Sequence, residues 1–175
     1  MLNNLVGWAY ITGMVRLKSD GTPWRPIVHI EDISAAFIAL LEAPSEVVHN
    51  QSFNVGLSEE NYQMRDLAQI VMETVPGSKV TFAEDAGPDK RCYRVNCEKI
   101  KTMVPAFKPR WTARHGARQL YEAYQAFGLT LADFEGARYM RIKQVRKLQE
   151  EGLIDANLRW ARVSAPVALS AGGAR

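Results

Sequence analysis

From Ile33 to Leu41 every residue but Ser34 is apolar. A helix of that composition has no polar face to give to solvent, so it calls for packing on more than one side. Glu31 and Asp32 stand at its start, where negative charge suits the positive end of the helix macrodipole, and Pro44 follows its end. Where part of that packing is missing, the chain should expose an apolar face and be marginally stable or sticky. With 175 residues it is long enough for one domain, and folding at this size buries roughly 70% of the unfolded surface.

The segments around this helix alternate between extended and helical patterns. Asn4 to Ile11 reads as a helix ended near Gly13, and Met14 to Leu17 as a short strand. Asp20-Gly21-Thr22-Pro23 is a turn, and Ile27 to Ile30 a second extended run. Ser52 to Val55 reads as a short buried strand. Met64, Leu67, Ala68, Val71, Met72 and Val75 then recur at helical spacing, up to the Pro76-Gly77 stop. Lys79 to Phe82 alternates like a strand, and Asn96 is placed to cap a short helix through Met103. Thr112 caps a helix with Ala113, Ala117, Leu120, Tyr121, Tyr124 and Phe127 on its apolar side, and Gly128 ends it. A final amphipathic helix is expected from about Gly136 to Glu151. The fold class is mixed α/β, with a small sheet and packed helices. The expected division is 1–128 as the main body, 129–162 as a helical extension and 163–175 as a disordered tail rich in small residues.

Composition removes several classes of function. A net charge of +3, from 22 basic and 19 acidic residues, is too small to argue for nucleic acid. The basic residues Arg138, Arg141, Lys143, Arg146 and Lys147 mix with Ile142, Val145 and Leu148, as in a solvated amphipathic helix. Cys92 and Cys97 form no CxxC pair and no histidine clusters with them, so no metal site is expected and both thiols should be reduced. No apolar run reaches the roughly 18–20 residues of a membrane span, and Asn3-Asn4 with no basic lead makes a poor signal peptide. A cytoplasmic protein with no nucleic-acid or membrane partner is expected.

The segment Gly21-Thr22-Pro23-Trp24-Arg25-Pro26-Ile27-Val28-His29-Ile30-Glu31-Asp32-Ile33 resembles the G-x-x-x-R-x-x-x-[HY]-[VI]-x-D-[VI] pattern of the extended short-chain dehydrogenase/reductase family, which contains the NAD-dependent nucleotide-sugar epimerases and dehydratases. Three further pieces follow the family's order: Asn3-Asn4-Leu5-Val6, Ser52-Phe53-Asn54-Val55-Gly56, and the helix from Gln63 to Thr74. Together they cover about Asn3 to Tyr124. The resemblance implies the C-terminal, substrate-binding part of an extended Rossmann-type enzyme, with a nucleoside diphosphate sugar as ligand.

It also implies site residues. Arg25, a planar fork of donors, would meet the diphosphate; an ion pair with an acid such as Asp32 is the alternative. Asn4 and Leu5 lie in the segment that touches the diphosphate in relatives, or form a polar helix start and a core leucine. Arg16, Leu17 and Lys18 occupy the strand that runs along the base, where relatives often carry an apolar or aromatic residue in place of Lys18. In the Gly87–Arg91 loop Ala86 stands where relatives have an arginine, Asp89 matches their ribose-binding acid, and Arg91 is either a substitute for the missing arginine or part of a solvated loop. His29 and Asp32 are expected to be structural at the helix entry, and Trp24 to cover the core.

No catalytic residue is assigned. The family's chemistry implies NAD or NADP, a GxxGxxG turn and a tyrosine with a lysine four residues on. Gly7 and Gly13 have the spacing of the ends of such a turn, but Tyr10 stands at its middle. Tyr139 and Lys143 satisfy Y-x-x-x-K but lie after the substrate segment, in a charged helix where they are i, i+4 neighbours. The expectation is a truncated family member, inactive alone, without the cofactor-binding half and without the helices that make the family's homodimer. The alternative is a non-catalytic nucleotide-sugar-binding or interaction module that pairs with a separate cofactor domain.

Overall fold

The structure is a computed structural model that describes residues 1–87 and 91–161, with the side chains of 85 and 86 excepted. It divides into two compact units, Met1–Leu129 and Thr130 onwards. The expected tail at 163–175 lies outside the described residues.

The first unit opens with α1 (Leu2–Thr12), which ends on Gly13 in the left-handed conformation, φ 70°. β1 (Met14–Ser19) follows, then β2 (Trp24–Pro26) and α2 (Ile30–Glu42). After the short α3 (Ser45–Val48) come β3 (Asn61–Gln63), α4 (Met64–Thr74) and β4 (Lys79–Gly87). α5 (Glu98–Met103) and α6 (Ala113–Phe127) complete it. β1 and β4 pair in parallel, Met14 opposite Lys79, and β2 and β3 pair antiparallel, Arg25 opposite Tyr62. Mixed α/β architecture with two small sheets is therefore what the chain forms.

Two apolar clusters hold this unit. The larger joins Leu5, Val6 and Ala9 of α1, Val15 and Leu17 of β1, Leu67 and Val71 of α4, and Ala117 of α6. Burying each of the larger side chains contributes roughly 1.5–3 kcal/mol. The smaller cluster packs Ala36 and Ala39 of α2 against Cys97, Ile100, Val104 and Phe107. Gly21 turns the chain between β1 and β2 at φ +85°, and a Cβ there would stand 3.1 Å from Arg65 Cβ, so glycine is required by backbone and space together.

Several expectations need correction. The paired strand near Ile27 is Trp24–Pro26, and Ile27 only adds one bond, from its N–H to the Glu60 carbonyl at 2.9 Å. The helix starts at Ile30 because His29 caps it, its Nδ1 accepting from the Glu31 N–H. Ser52–Val55 is not a strand; Lys99 Nζ donates to the Ser52 carbonyl, and the segment's own Asn54 Nδ2 donates to the Asn96 carbonyl. α2 is packed on one side only. Ile30, Phe37, Ile38 and Leu41 are exposed, Leu41 to 85%. Phe127, one of the apolar positions read for α6, is also exposed, in the last turn of that helix.

In the second unit the helix expected from about Gly136 to Glu151 starts only at Arg141, as α8 (Arg141–Glu150), and a further short helix, α7 (Leu131–Glu135), lies before Gly136. Gly136 is extended, φ −78° and ψ 177°, and breaks the run, as a residue of poor helix propensity can. Ile154 and Trp160 form an isolated antiparallel bridge after α8.

Candidate functional site

A cleft of about 760 Å³ opens between the N-terminal half of α1, the exposed face of β1, β2 and the residues after β4. Four expected ligand residues meet there: Asn4, Leu5, Arg25 and Arg91. Asp89 lies outside the described residues. Asn4 is exposed at the mouth, while Leu5, 6% exposed, belongs to the core as well and forms the apolar floor. Helical geometry puts Trp8 one turn beyond Asn4 on the same wall. Trp8 was not singled out from sequence, although its i, i+4 spacing from Asn4 was the signal that could have found it.

Arg25 is the best-fixed of these groups. β2 carries it, opposite Tyr62 of β3, and its residue is only 9% exposed. Its Nη1 donates to the Trp24 carbonyl at 2.7 Å and to the Arg91 carbonyl, and its guanidinium lies 5.7 Å from the centre of the Tyr93 ring. Arg25 thus faces the cleft and also ties the segment after β4 to β2. The alternative ion pair with Asp32 is not what occupies that carboxylate: Asp32, 4% exposed, accepts the N–H groups of Arg110 and Trp111, each at 3.0 Å.

Arg16 and Lys18 share the exposed face of β1 and line the same cleft, while Val15 and Leu17 point into the core. The cleft therefore has four cationic side chains, and no carboxylate side chain among its described lining residues. That is an arrangement for an anion, with Asn4 able to add an amide donor.

The other candidates are structural. His29 stacks on Trp111 with ring centres 3.8 Å apart, and its Nε2 lies 2.8 Å from Gln119 Oε1. Both its nitrogens are thereby committed to holding the entry of α2 against α6. Trp24 is half-buried with the Arg94 guanidinium 4.6 Å from its ring centre, and stands outside both apolar clusters. Tyr62 donates to Glu60 Oε1 at 3.0 Å, and Glu60 Oε2 accepts from the Ala113 N–H at the start of α6. Burial and then the Glu60 carboxylate push the Tyr62 phenol up to about 12, the reverse of what a catalytic base needs. In the second unit Lys143 Nζ rests on the Glu135 carbonyl at 2.6 Å, consistent with a surface role for the Tyr139/Lys143 pair.

Gly7, Tyr10 and Gly13 do not form the Gly-rich turn of a dinucleotide site. Gly7 is buried inside α1 rather than at a strand-to-helix turn, and Gly13 caps that helix at its C-terminus, the end that repels phosphate. Tyr10 packs its ring against Tyr121 and Tyr124. Cys92 is exposed and Cys97 buried, both free, and no described group of three His, Cys, Asp or Glu side chains could hold a metal ion. No described helix is long and apolar enough to cross a membrane.

Residues 1–56 match the sequence profile of the NAD dependent epimerase/dehydratase family. The match takes in the first 56 of the 175 residues. It contains α1, β1, β2 and α2, hence Asn4, Leu5 and Arg25. Solved structures extend the likeness, as one of fold, to about seven tenths of the chain. ADP-L-glycero-D-manno-heptose-6-epimerase from Helicobacter pylori is 20% identical, with TM-score 0.56, over 72% of this chain and 37% of that one. UDP-glucuronic acid 4-epimerase from Bacillus cereus, solved with UDP-glucuronic acid and NAD, is 16% identical, with TM-score 0.60, over 73% and 40%. A monomeric L-threonine 3-dehydrogenase of metagenomic origin is 12% identical, with TM-score 0.58, over 72% and 41%. The chain thus spans about two fifths of the length of the epimerase/dehydratase-type structures it matches.

Proposed function

We propose that this chain is the nucleotide-sugar-binding part of an NAD-dependent epimerase or dehydratase, and that its 175 residues supply ligand recognition without the hydride chemistry. The observation that carries this reading is the convergence of Asn4, Leu5, Arg25 and Arg91 on one cationic cleft. In it Arg25 and Arg91 meet the diphosphate, Asn4 donates an amide hydrogen to it, and the Leu5 and Trp8 side chains offer an apolar surface beside it. NAD or NADP, the catalytic tyrosine–lysine pair and the family's dimer contact belong to residues other than these, and a cytoplasmic location goes with the reading.

The exposed stripe on α2 favours a second form of the same idea, a binding module that works with a separately folded cofactor domain. Both forms require the cleft to bind. Thermal melting of the 175-residue chain with UDP-, GDP-, dTDP- and ADP-linked hexoses tests this. A specific ligand at about a hundred times its Kd stabilises the fold by roughly 2.7 kcal/mol and raises Tm accordingly. A melt unmoved by every member of the panel at millimolar concentration would remove the nucleotide-sugar reading.

A further inference from the structure

Helix α2 turns one apolar face to solvent. Ile30, Phe37, Ile38 and Leu41 are between 57% and 85% exposed. At about 3.6 residues per turn, Ile30, Ser34, Phe37 and Leu41 fall within roughly a 60° arc of the helix, with Ile38 beside them. No charged residue stands between Asp32 and Glu42. The polar side chain in the arc is already satisfied, since Ser34 Oγ donates to the Ile30 carbonyl at 3.0 Å. Covering this face removes apolar surface from water and strands no polar group.

The order of large and small residues in the arc is self-complementary. Two copies of α2 laid antiparallel, with the two-fold axis midway between Ala35 and Ala36, bring Ile30 opposite Leu41 of the second copy and Phe37 opposite its Ser34. Symmetry repeats both pairs. Each Phe37 ring then sits over a small side chain, and two aliphatic side chains close each end, as an isologous contact requires. The area is sufficient as well. The four exposed side chains offer on the order of 100 Å² each, so two copies bury about 800 Å² from them alone. Glu31, Ser34, Ala35 and Glu42, also exposed, bring the total to about 1,000 Å², where specific interfaces begin.

We propose that α2 is a homodimer interface, in which two copies of this chain pair their α2 helices antiparallel in the register Ile30–Leu41 and Ser34–Phe37. The inference rests on α2 alone and goes beyond the nucleotide-sugar reading, which stands or falls separately. A merely sticky face pairs in any direction and without limit, whereas this contact has one direction and closes at two chains.

Analytical ultracentrifugation of the 175-residue chain reads the stoichiometry. The expected result is a monomer–dimer equilibrium with a Kd on the order of 10 μM. Ser34→Phe places a second ring where Phe37 of the other copy sits, and is expected to weaken the dimer about tenfold. A merely sticky face gains apolar area from that change and associates more strongly. Crosslinking reads the direction. Chains carrying Cys92→Ser with either Ile30→Cys or Leu41→Cys are treated with a short bismaleimide, separately and mixed. The mixture is expected to crosslink at least about tenfold faster than either variant alone, because like positions lie roughly 16 Å apart in the antiparallel pair. A wild-type chain still monomeric at about twenty times that Kd would overturn the proposal and leave the face to a different partner, such as a separate cofactor domain. Growth beyond the dimer, tighter association of Ser34→Phe, or faster crosslinking within one variant would each overturn it too.

Discussion

At the scale of the residue, Arg25 shows how one side chain can serve a site and a fold together. Its guanidinium faces the cleft, holds the Trp24 and Arg91 carbonyls and lies against Tyr93. Lysine keeps the charge but not the planar fork. Arg25→Lys is therefore expected to weaken nucleoside diphosphate sugar binding at least about tenfold and to make the chain near Arg91 more sensitive to limited proteolysis. Unchanged binding with unchanged cleavage would contradict both roles. Tyr62 supplies a pH prediction. Its phenol is pushed from 10 to about 12 in the fold, so its contribution is fully present below pH 10 and is lost as pH rises through about 12. Melting temperature should fall across that window, and Tyr62→Phe should flatten the fall; an identical slope in the variant would show that Tyr62 is not its source. Arg25 was legible in the sequence because a motif surrounds it. Glu60 and Tyr62 were not, because the bond from the Ala113 N–H to Glu60 joins positions 53 residues apart and leaves no local pattern.

At the scale of the element, α2 divides its apolar surface between two fates. Ala36 and Ala39 pack into the smaller cluster, while Ile30, Phe37, Ile38 and Leu41 stay in solvent. A contiguous apolar stripe of that kind favours association. The chain is expected to bind a hydrophobic dye and to self-associate at micromolar concentration, and Phe37→Glu with Leu41→Lys to reduce both. A wild-type chain that is monomeric and dye-silent by light scattering and fluorescence would contradict this. The sequence declared the helix apolar all round, and that composition was read correctly. Which sides are packed depends on neighbours that periodicity does not name. The same limit explains Ser52–Val55: its residues suit a strand, but a strand exists only beside another. The final helix was expected to start at about Gly136, whereas the run from Gly136 to Met140 stays outside it and α8 starts at Arg141.

At the scale of the whole molecule, the first unit has its own apolar clusters and a formed cleft, yet corresponds to about two fifths of the length of the structures it resembles. The proposed function treats recognition and chemistry as separable. The cations, Asn4 and Leu5 are present, whereas the glycines that could have met a pyrophosphate are buried in α1 or cap its C-terminus. Asn4, Leu5, Arg25 and Arg91, singled out from the order of motifs along the sequence, line one cleft. The resemblance also pointed to Arg16, Leu17 and Lys18 on β1, but which of them are exposed became visible only with the alternation of burial along Met14–Ser19. The most direct test is a paired titration of the 175-residue chain, one arm with the nucleoside diphosphate hexose that shifts its melt most and the other with NADH, followed by heat and by nicotinamide fluorescence. Saturable one-to-one binding of the sugar nucleotide with no saturable binding of NADH is the predicted result. Saturable NADH binding, or no binding of the sugar nucleotide, would contradict the account.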